Sequence, residues 1–118
     1  MTEQEPRLWH VTVTVAGERS DGAEVRAGLE RLVDERPFLL TVRYRDDRAE
    51  VRYWEQADKI LDAASLALRL WDEHRKTAGL PRWEVIGLEV LDRDTFQMRM
   101  AEGSVPRPVS EAGVVRPY

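Results

Sequence analysis

The sequence predicts an α+β fold in which two helices cover one face of a four-stranded antiparallel sheet. Three observations predict it. Apolar and polar residues alternate on both sides of a two-residue turn, two stretches have the apolar period of a helix, and the elements follow in the order β-α-β-β-α-β. Two right-handed crossovers then place both helices on the same side of the sheet.

The central segment Leu40–Trp54 predicts a β-hairpin with Asp46 and Asp47 as its turn. One face of the hairpin is apolar and consists of three opposed pairs: Leu40 and Tyr53, Val42 and Val51, and Tyr44 and Ala49. The other face is polar and salt-paired, with two opposed pairs: Thr41 and Arg52, and Arg43 and Glu50. A hairpin with these two faces lies on a core.

A strand and a helix precede the hairpin. Apolar residues alternate with His10 and threonines along Leu8–Ala16, which predicts the first strand. Asp21, with Glu24 three residues later, predicts the start of a helix, and Pro37 is expected to end it.

A second helix and a fourth strand follow the hairpin. Asp58 is the expected N-cap of a helix that runs to about Thr77, and Gly79 is expected to stop it. Trp83–Leu91 predicts the last strand, and its inward-facing residues are expected to be Ile86, Leu88 and Val90.

This order of elements is that of the ferredoxin-like split β-α-β sandwich, in which the first and third strands are central. Residues 1–100 are expected to form this single α+β domain. Residues 101–118, with three prolines, are expected to form an extended C-terminal tail. The alternation along Thr95–Met100 leaves open a short extra C-terminal strand.

Composition excludes several classes of function. The chain has 118 residues, a net charge of −4 and no cysteine, so a disulfide or a sulfur-ligated metal is excluded. No apolar run is long enough to cross a bilayer and no secretory signal is evident, so a cytoplasmic location without membrane contact is expected. The negative charge argues against nucleic acid as a partner. No metal or other cofactor is expected.

The second helix has more apolar surface than packing on a sheet requires. Its apolar residues span about 220° of the helix, whereas a helix on one sheet face needs little more than about 100°. Leu66 and Leu70 lie on one flank of this surplus. Two coverings remain open: the chain's own Phe96, Met98 or tail, or a partner subunit. Leu66 and Leu70 are therefore interface candidates, and a homodimer is expected.

The helix-free face of the sheet is the stronger candidate for binding. Alternation places on it His10, Thr12, Arg43, Arg45, Arg52 and Trp54. Arginine and tryptophan are enriched at interface hot spots, which favours a surface for an unknown protein partner. The alternative is a solvated face with cross-strand ion pairs.

No catalytic residue can be assigned. His10 and His74 are the two histidines, and their positions on different elements give no recognisable metal spacing. No serine or carboxylate lies at a diagnostic spacing from His10, and His74 is expected to interact with the dipole of its helix. A small enzyme that uses His10 is the least favoured alternative.

Comparison with families of this element order removes several functions and adds one. The strand Arg48–Trp54 lacks the basic-glycine-aromatic pattern of RNA-recognition modules. The chain has no asparagine, which acylphosphatases need, and no cysteine pair for metal chaperones. Val13–Gly17, leading into a helix, resembles the strand-loop-helix start of ACT-type ligand sensors. That resemblance implies a small-molecule site at a dimer seam, with Gly17 as the candidate ligand loop.

The sequence therefore favours a small, non-enzymatic, homodimeric protein-interaction module. An ACT-like small-molecule-sensing regulatory domain is the alternative.

Overall fold

The computed structural model describes residues 7–36, 39–103 and 114–118. Its elements are β1 Leu8–Ala16, α1 Gly22–Glu35, β2 Leu39–Tyr44, β3 Arg48–Gln56, α2 Ile60–Ala78, β4 Glu84–Asp92, α3 Arg93–Ala101 and β5 Val114–Pro117. The strands form one sheet in the order β4-β1-β3-β2-β5, and α1 and α2 pack on one face of it. The fold is the predicted ferredoxin-like α+β sandwich, extended by β5 and α3.

The hairpin has the predicted turn and most of the predicted register. The Arg45 N–H donates to the Arg48 carbonyl oxygen at 2.8 Å and closes the turn. Four predicted pairs are confirmed: Thr41 and Arg52, Val42 and Val51, Arg43 and Glu50, and Tyr44 and Ala49. At the start of β2 a shift in register sets Leu39 opposite Tyr53, so the predicted pairing of Leu40 with Tyr53 is wrong. A bulge adds one residue to a strand and changes the pairing beyond it.

The sheet face beneath the helices is dry because the valines of the central strands all lie on it. Val11, Val13 and Val15 of β1 and Val51 of β3 are at most 2% exposed. They form one cluster with apolar residues of both helices: Val25, Leu29, Leu32, Ala63, Ala67, Leu70 and Trp71. Burial of each large side chain stabilises the fold by about 1.5–3 kcal/mol, so this layer provides much of the driving force for folding.

α1 begins and α2 ends at the predicted residues. The Asp21 carboxylate accepts hydrogen bonds from two backbone N–H groups of the first turn of α1, at 2.8 and 3.2 Å. Gly79 follows α2 in the left-handed conformation, with φ 71°. Glycine adopts this conformation without steric cost, which is why α2 stops there.

The expected N-cap of α2 at Asp58 is wrong. Lys59 occupies the cap position, and its side chain makes no capping hydrogen bond. The chain is still extended beside the start of β1 at this point, where the Ala57 N–H donates to the Arg7 carbonyl oxygen at 3.1 Å. Continued pairing with a neighbouring strand therefore delays the start of the helix.

β4 turns less of its apolar surface inward than expected. A register shift against Thr14 and Val15 of β1 leaves Ile86 as an extra residue, and Ile86 is 55% exposed. Leu88 is 38% exposed, because β4 is the edge of the sheet. Val90 packs on the core as predicted.

The segment Thr95–Met100 belongs to a helix, so the short strand that its alternation left open does not form there. The Asp92 carboxylate accepts a hydrogen bond from the Thr95 N–H at 2.8 Å and caps α3. α3 packs against β1 and β4 with Phe96 buried beneath it. It covers one end of the sheet face that α1 and α2 leave open.

A C-terminal strand does form, but farther along the chain. β5 pairs in parallel with β2 and sets Arg116 opposite Arg43, so β2 is not the edge strand that the sequence predicted. Residues 1–6, Pro37 and residues 104–113 of the expected tail lie outside the described residues. The division between a domain and a tail at residue 100 stays a prediction.

The apolar surplus of α2 is distributed differently from the prediction. Leu70 is 3% exposed and belongs to the chain's own core, so the expectation that it is an interface residue is wrong. Leu66 is 38% exposed, and the opposite flank leaves Leu61 at 74% and Leu68 at 48%. Despite this exposed apolar surface on α2, no helix among the described residues is long and apolar enough to span a membrane.

The substitution Leu70→Asp is expected to lower the free energy of unfolding by about 3–5 kcal/mol, because it puts a carboxylate into a dry core. Leu66→Asp, on the same helix but part-exposed, should cost about 1 kcal/mol. Urea unfolding followed by circular dichroism measures both. Equal losses in the two variants would contradict the placement of Leu70 in the core.

Candidate functional site

The helix-free face of the sheet carries a cluster of arginines. Strand alternation and register place on it Arg43, Arg48, Arg52 and Arg116, and Arg45, in the turn after β2, contacts the same Tyr118 ring as Arg43. We call these five residues the arginine face. Within the described parts of β2, β3 and β5, Glu50 is the one acidic residue on this face. A protein of net charge −4 thus presents a locally positive surface.

Tyr118 holds two of these arginines in place. The Arg43 guanidinium lies 4.9 Å from the centroid of the Tyr118 ring, and that of Arg45 lies 5.3 Å from it. The Tyr118 N–H donates to the Tyr44 carbonyl oxygen at 3.0 Å. Partial burial raises the pKa of the Tyr118 hydroxyl, so the ring stays neutral. Cation–π contacts of this kind contribute about 0.5–1 kcal/mol at exposed sites and restrict the two side chains.

Two arginines are neutralised and three are not. The Arg52 Nε donates to Glu50 Oε1 at 2.9 Å, and the Arg48 Nε lies 3.6 Å from Asp47 Oδ1. Glu50 therefore pairs along its own strand, although Arg43 is opposite it in the register. Within the described residues, no carboxylate forms an ion pair with Arg43, Arg45 or Arg116, so their guanidinium groups can accept an anionic partner.

His10 and Trp54 lie on the sheet face opposite α1 and α2, as alternation predicts, but α3 covers them, so they are not available as an open binding surface. His10 is 2% exposed and stacks on Phe96 of α3 at a centroid distance of 4.0 Å. Trp54 is half-buried and meets both rings edge-on, at 5.2 and 5.1 Å. We call these three residues the aromatic cluster. α3 covers His10 and Trp54, which the sequence did not predict because its alternation left open a strand in that segment and not a helix.

Burial determines the protonation of His10. Desolvation lowers its pKa to about 4, and Arg52 acts in the same direction. The Nδ1 atom is buried and has no hydrogen-bond partner among the described residues. A neutral imidazole enclosed by two aromatic rings is not accessible to a substrate, so this placement does not support His10 as a catalytic base.

The other residues expected on the binding face do lie on it. Arg43, Arg45 and Arg52 lie together, while Thr12 is half-buried between Arg52 and Glu89 in the sheet register. Sequence reasoning missed Arg48, Arg116 and Tyr118. The alternation of β3 could have identified Arg48. Nothing local indicates that the C-terminal segment pairs with β2.

His74 contacts the other helix, and its expected interaction with the dipole of its own helix stays a prediction. Its Nδ1 lies 3.4 Å from Glu35 Oε1, and the Thr77 hydroxyl donates to the same carboxylate. The hydrogen bond from Thr77 lowers the pKa of Glu35. These contacts join the C-terminal ends of α1 and α2. No group of three or more His, Cys, Asp or Glu in the described part of the chain could hold a metal ion.

The loop that contains Gly17 lines a separate cleft of about 1020 Å³ on the helix side of the molecule. The Trp83 indole N–H donates to the Glu18 carbonyl oxygen at 2.8 Å, so the indole lies directly against the loop. A Cβ atom at residue 17 would overlap the Trp83 ring. The role of Gly17 is therefore to let the loop and the tryptophan approach one another.

The chain matches the family model of a domain of unknown function (DUF8830) over residues 8–107. It belongs to this family. No curated protein matches the chain. The family description assigns no activity to its members, so function has to be argued from the surfaces described above.

Solved structures of similar fold include two acylphosphatases. One, from Coxiella burnetii, is 18% identical with a TM-score of 0.45, and the alignment covers 100% of both chains. The other, from Bacillus subtilis, is 16% identical with a TM-score of 0.41, and the alignment covers 93% of this family member and 98% of that chain. At these values the likeness concerns the fold alone.

His10 makes stability depend on pH. The unfolded chain takes up a proton on His10 as the pH falls through 6.5, whereas the folded chain resists protonation until about 4. The resulting contribution of His10 to the free energy of unfolding is complete above pH 6.5 and is lost as the pH falls toward 4. Between pH 7 and 5 the loss is about 2 kcal/mol.

His10→Phe should remove this dependence, since phenylalanine keeps the stacking and does not titrate. Urea unfolding at both pH values measures it, with His74→Gln as the control that retains His10. An equal loss of stability with acid in His10→Phe and the parent protein would refute the assignment.

Gly17→Ala is expected to lower the free energy of unfolding by about 1–3 kcal/mol, because a new methyl group must displace a hydrogen-bonded indole. Gly22→Ala is the matched control, since a Cβ there meets nothing within 4 Å. It should leave stability unchanged or raise it slightly. Thermal unfolding followed by tryptophan fluorescence compares the two, and a neutral Gly17→Ala would show that the loop is free to move.

Proposed function

We propose that the protein is a non-enzymatic interaction module that binds an acidic segment of a protein partner through the arginine face. One observation carries the proposal: among the described residues, five arginines lie together at the part of this face formed by β2, β3 and β5, where Glu50 is the one acidic strand residue. Arginine guanidinium groups bind carboxylates in a bidentate geometry. An acidic peptide segment supplies such carboxylates along an extended chain.

The chemistry of the face favours contact with carboxylates. Arg43 and Arg45 are held over Tyr118, so part of the side-chain entropy is already lost before a partner binds. Arg116 is exposed and comes from the neighbouring strand. Three free guanidinium groups on adjacent strands could therefore contact successive carboxylates of one segment.

One feature supports a protein partner over a nucleic acid. The aromatic rings near this face are already engaged, since Trp54 packs under α3 and the Tyr118 ring contacts Arg43 and Arg45. Single-stranded nucleic acids are bound largely by stacking of bases on free aromatic rings.

Self-association stays a prediction, and it no longer depends on Leu70. The α2 surface that remains exposed is Leu61 and Leu68 on one flank and Leu66 on the other. The proposed binding of an acidic segment uses the opposite side of the sheet and requires no dimer.

A fluorescein-labelled peptide of alternating glutamate and glycine tests the proposal by fluorescence polarisation. The double variant Arg43→Gln, Arg45→Gln should bind about tenfold more weakly, which corresponds to about 1.4 kcal/mol. Binding should weaken as salt is raised. The matched control is Arg26→Gln, Arg69→Gln, which removes the same charge from the exposed surfaces of α1 and α2.

Equal weakening in the control variant would show that net charge, and not the arginine face, governs binding. Tighter binding of a single-stranded RNA of the same length than of the peptide would replace a protein partner with a nucleic acid. Either result would contradict the proposal.

A further inference from the structure

We propose that the cleft beside Gly17 binds a small zwitterionic ligand, in which an ammonium and a carboxylate flank an apolar group. Free apolar amino acids and short apolar peptides have this chemistry. The cleft lies between the β1–α1 loop, the second half of α2 and the segment that leads into β4. It is a different surface from the arginine face, and the inference does not depend on the function proposed above.

Two tryptophans make the cleft a preformed site. The Trp83 indole donates to the Glu18 carbonyl oxygen at 2.8 Å, and the Trp71 indole donates to the Pro81 carbonyl oxygen at 3.0 Å. The two rings stack at 5.9 Å with an angle of 9° between their planes. These contacts connect the β1–α1 loop, α2 and the segment that leads into β4 below the cleft. A site that is already formed does not have to be ordered by its ligand.

The lining of the cleft carries charges of both signs that the protein leaves unpaired. Arg75 and Asp72 come from α2, and Arg82 and Glu84 come from the segment entering β4. Within the part of the chain that the structure describes, none of these four side chains has a hydrogen bond or an ion pair. Asp72 and Arg75 are three positions apart on one helix, a spacing that allows them to pair, yet they remain separate.

This balance of charge selects the class of ligand. A simple anion would meet the carboxylates of Asp72 and Glu84, and a simple cation would meet Arg75 and Arg82. A zwitterion satisfies both sets at once, because its carboxylate can contact an arginine while its ammonium contacts an acidic side chain.

The apolar part of the lining can contact the apolar group that lies between the ammonium and the carboxylate of the proposed ligand. Leu68 is 48% exposed and Val85 is half-buried, and both line the cleft. An aliphatic or aromatic side chain of a ligand would remove this surface from water. The volume of about 1020 Å³ accommodates a short peptide as well as a free amino acid.

Isothermal titration calorimetry on the full chain tests the inference with four probes. L-leucine and the dipeptide Leu-Leu carry both charges, N-acetylleucine lacks the ammonium, and leucinamide lacks the carboxylate. At least one zwitterion should bind, and both singly charged compounds should bind at least tenfold more weakly. The comparison of leucine with the dipeptide distinguishes an amino acid from a peptide as the ligand.

Matched variants locate the site. Arg75→Gln and Asp72→Asn should each weaken binding at least fivefold, whereas Arg69→Gln and Asp62→Asn, on the same helix but outside the cleft, should leave it unchanged. Melting temperatures measured in parallel show that every variant is folded. Arg43→Gln with Arg45→Gln should bind the zwitterion normally, even if this pair abolishes binding of the acidic peptide.

Three results would overturn the inference. One is the absence of heat with either zwitterion at millimolar concentration. Another is equal binding of the singly charged compounds, and the third is normal binding by both cleft variants.

Discussion

The two-residue period of the pleated sheet is the constraint on which the rest of the structure depends. Along β1, Val11, Val13 and Val15 turn toward the helices, so the residues between them must turn away. β3 repeats this pattern in register beside β1. Because a slip of one residue would put every valine in water, burial of the valines also determines which polar side chains share the other face.

The fold separates two surfaces with different chemistry. The helix-free face gathers cations from β2, β3 and β5, and α3 covers its opposite end with the aromatic cluster. The cleft on the helix side instead combines both signs of charge with exposed apolar groups. The sheet lies between them, so a macromolecular partner and a small ligand could be bound independently.

Interactions between residues close in the chain account for the features that could be predicted from the amino-acid pattern. The hairpin register between the turn and Thr41 follows from the Asp46-Asp47 turn and from alternation, which are both local. The start of α1 at Asp21 and the end of α2 at Gly79 follow from hydrogen bonds and backbone conformations within one turn of helix. Arg43, Arg45 and Arg52 were placed on one face for the same reason.

Contacts between distant parts of the chain determine which segment covers each face of the sheet. Phe96 buries His10 through a contact between distant parts of the chain, and the alternation around Phe96 is compatible with a strand until Asp92 caps a helix. Pairing of β5 with β2 brings Arg116 and Tyr118 to the arginine face. Long-range contacts of this kind depend on which surfaces the whole chain leaves uncovered, and no local period or spacing encodes that information.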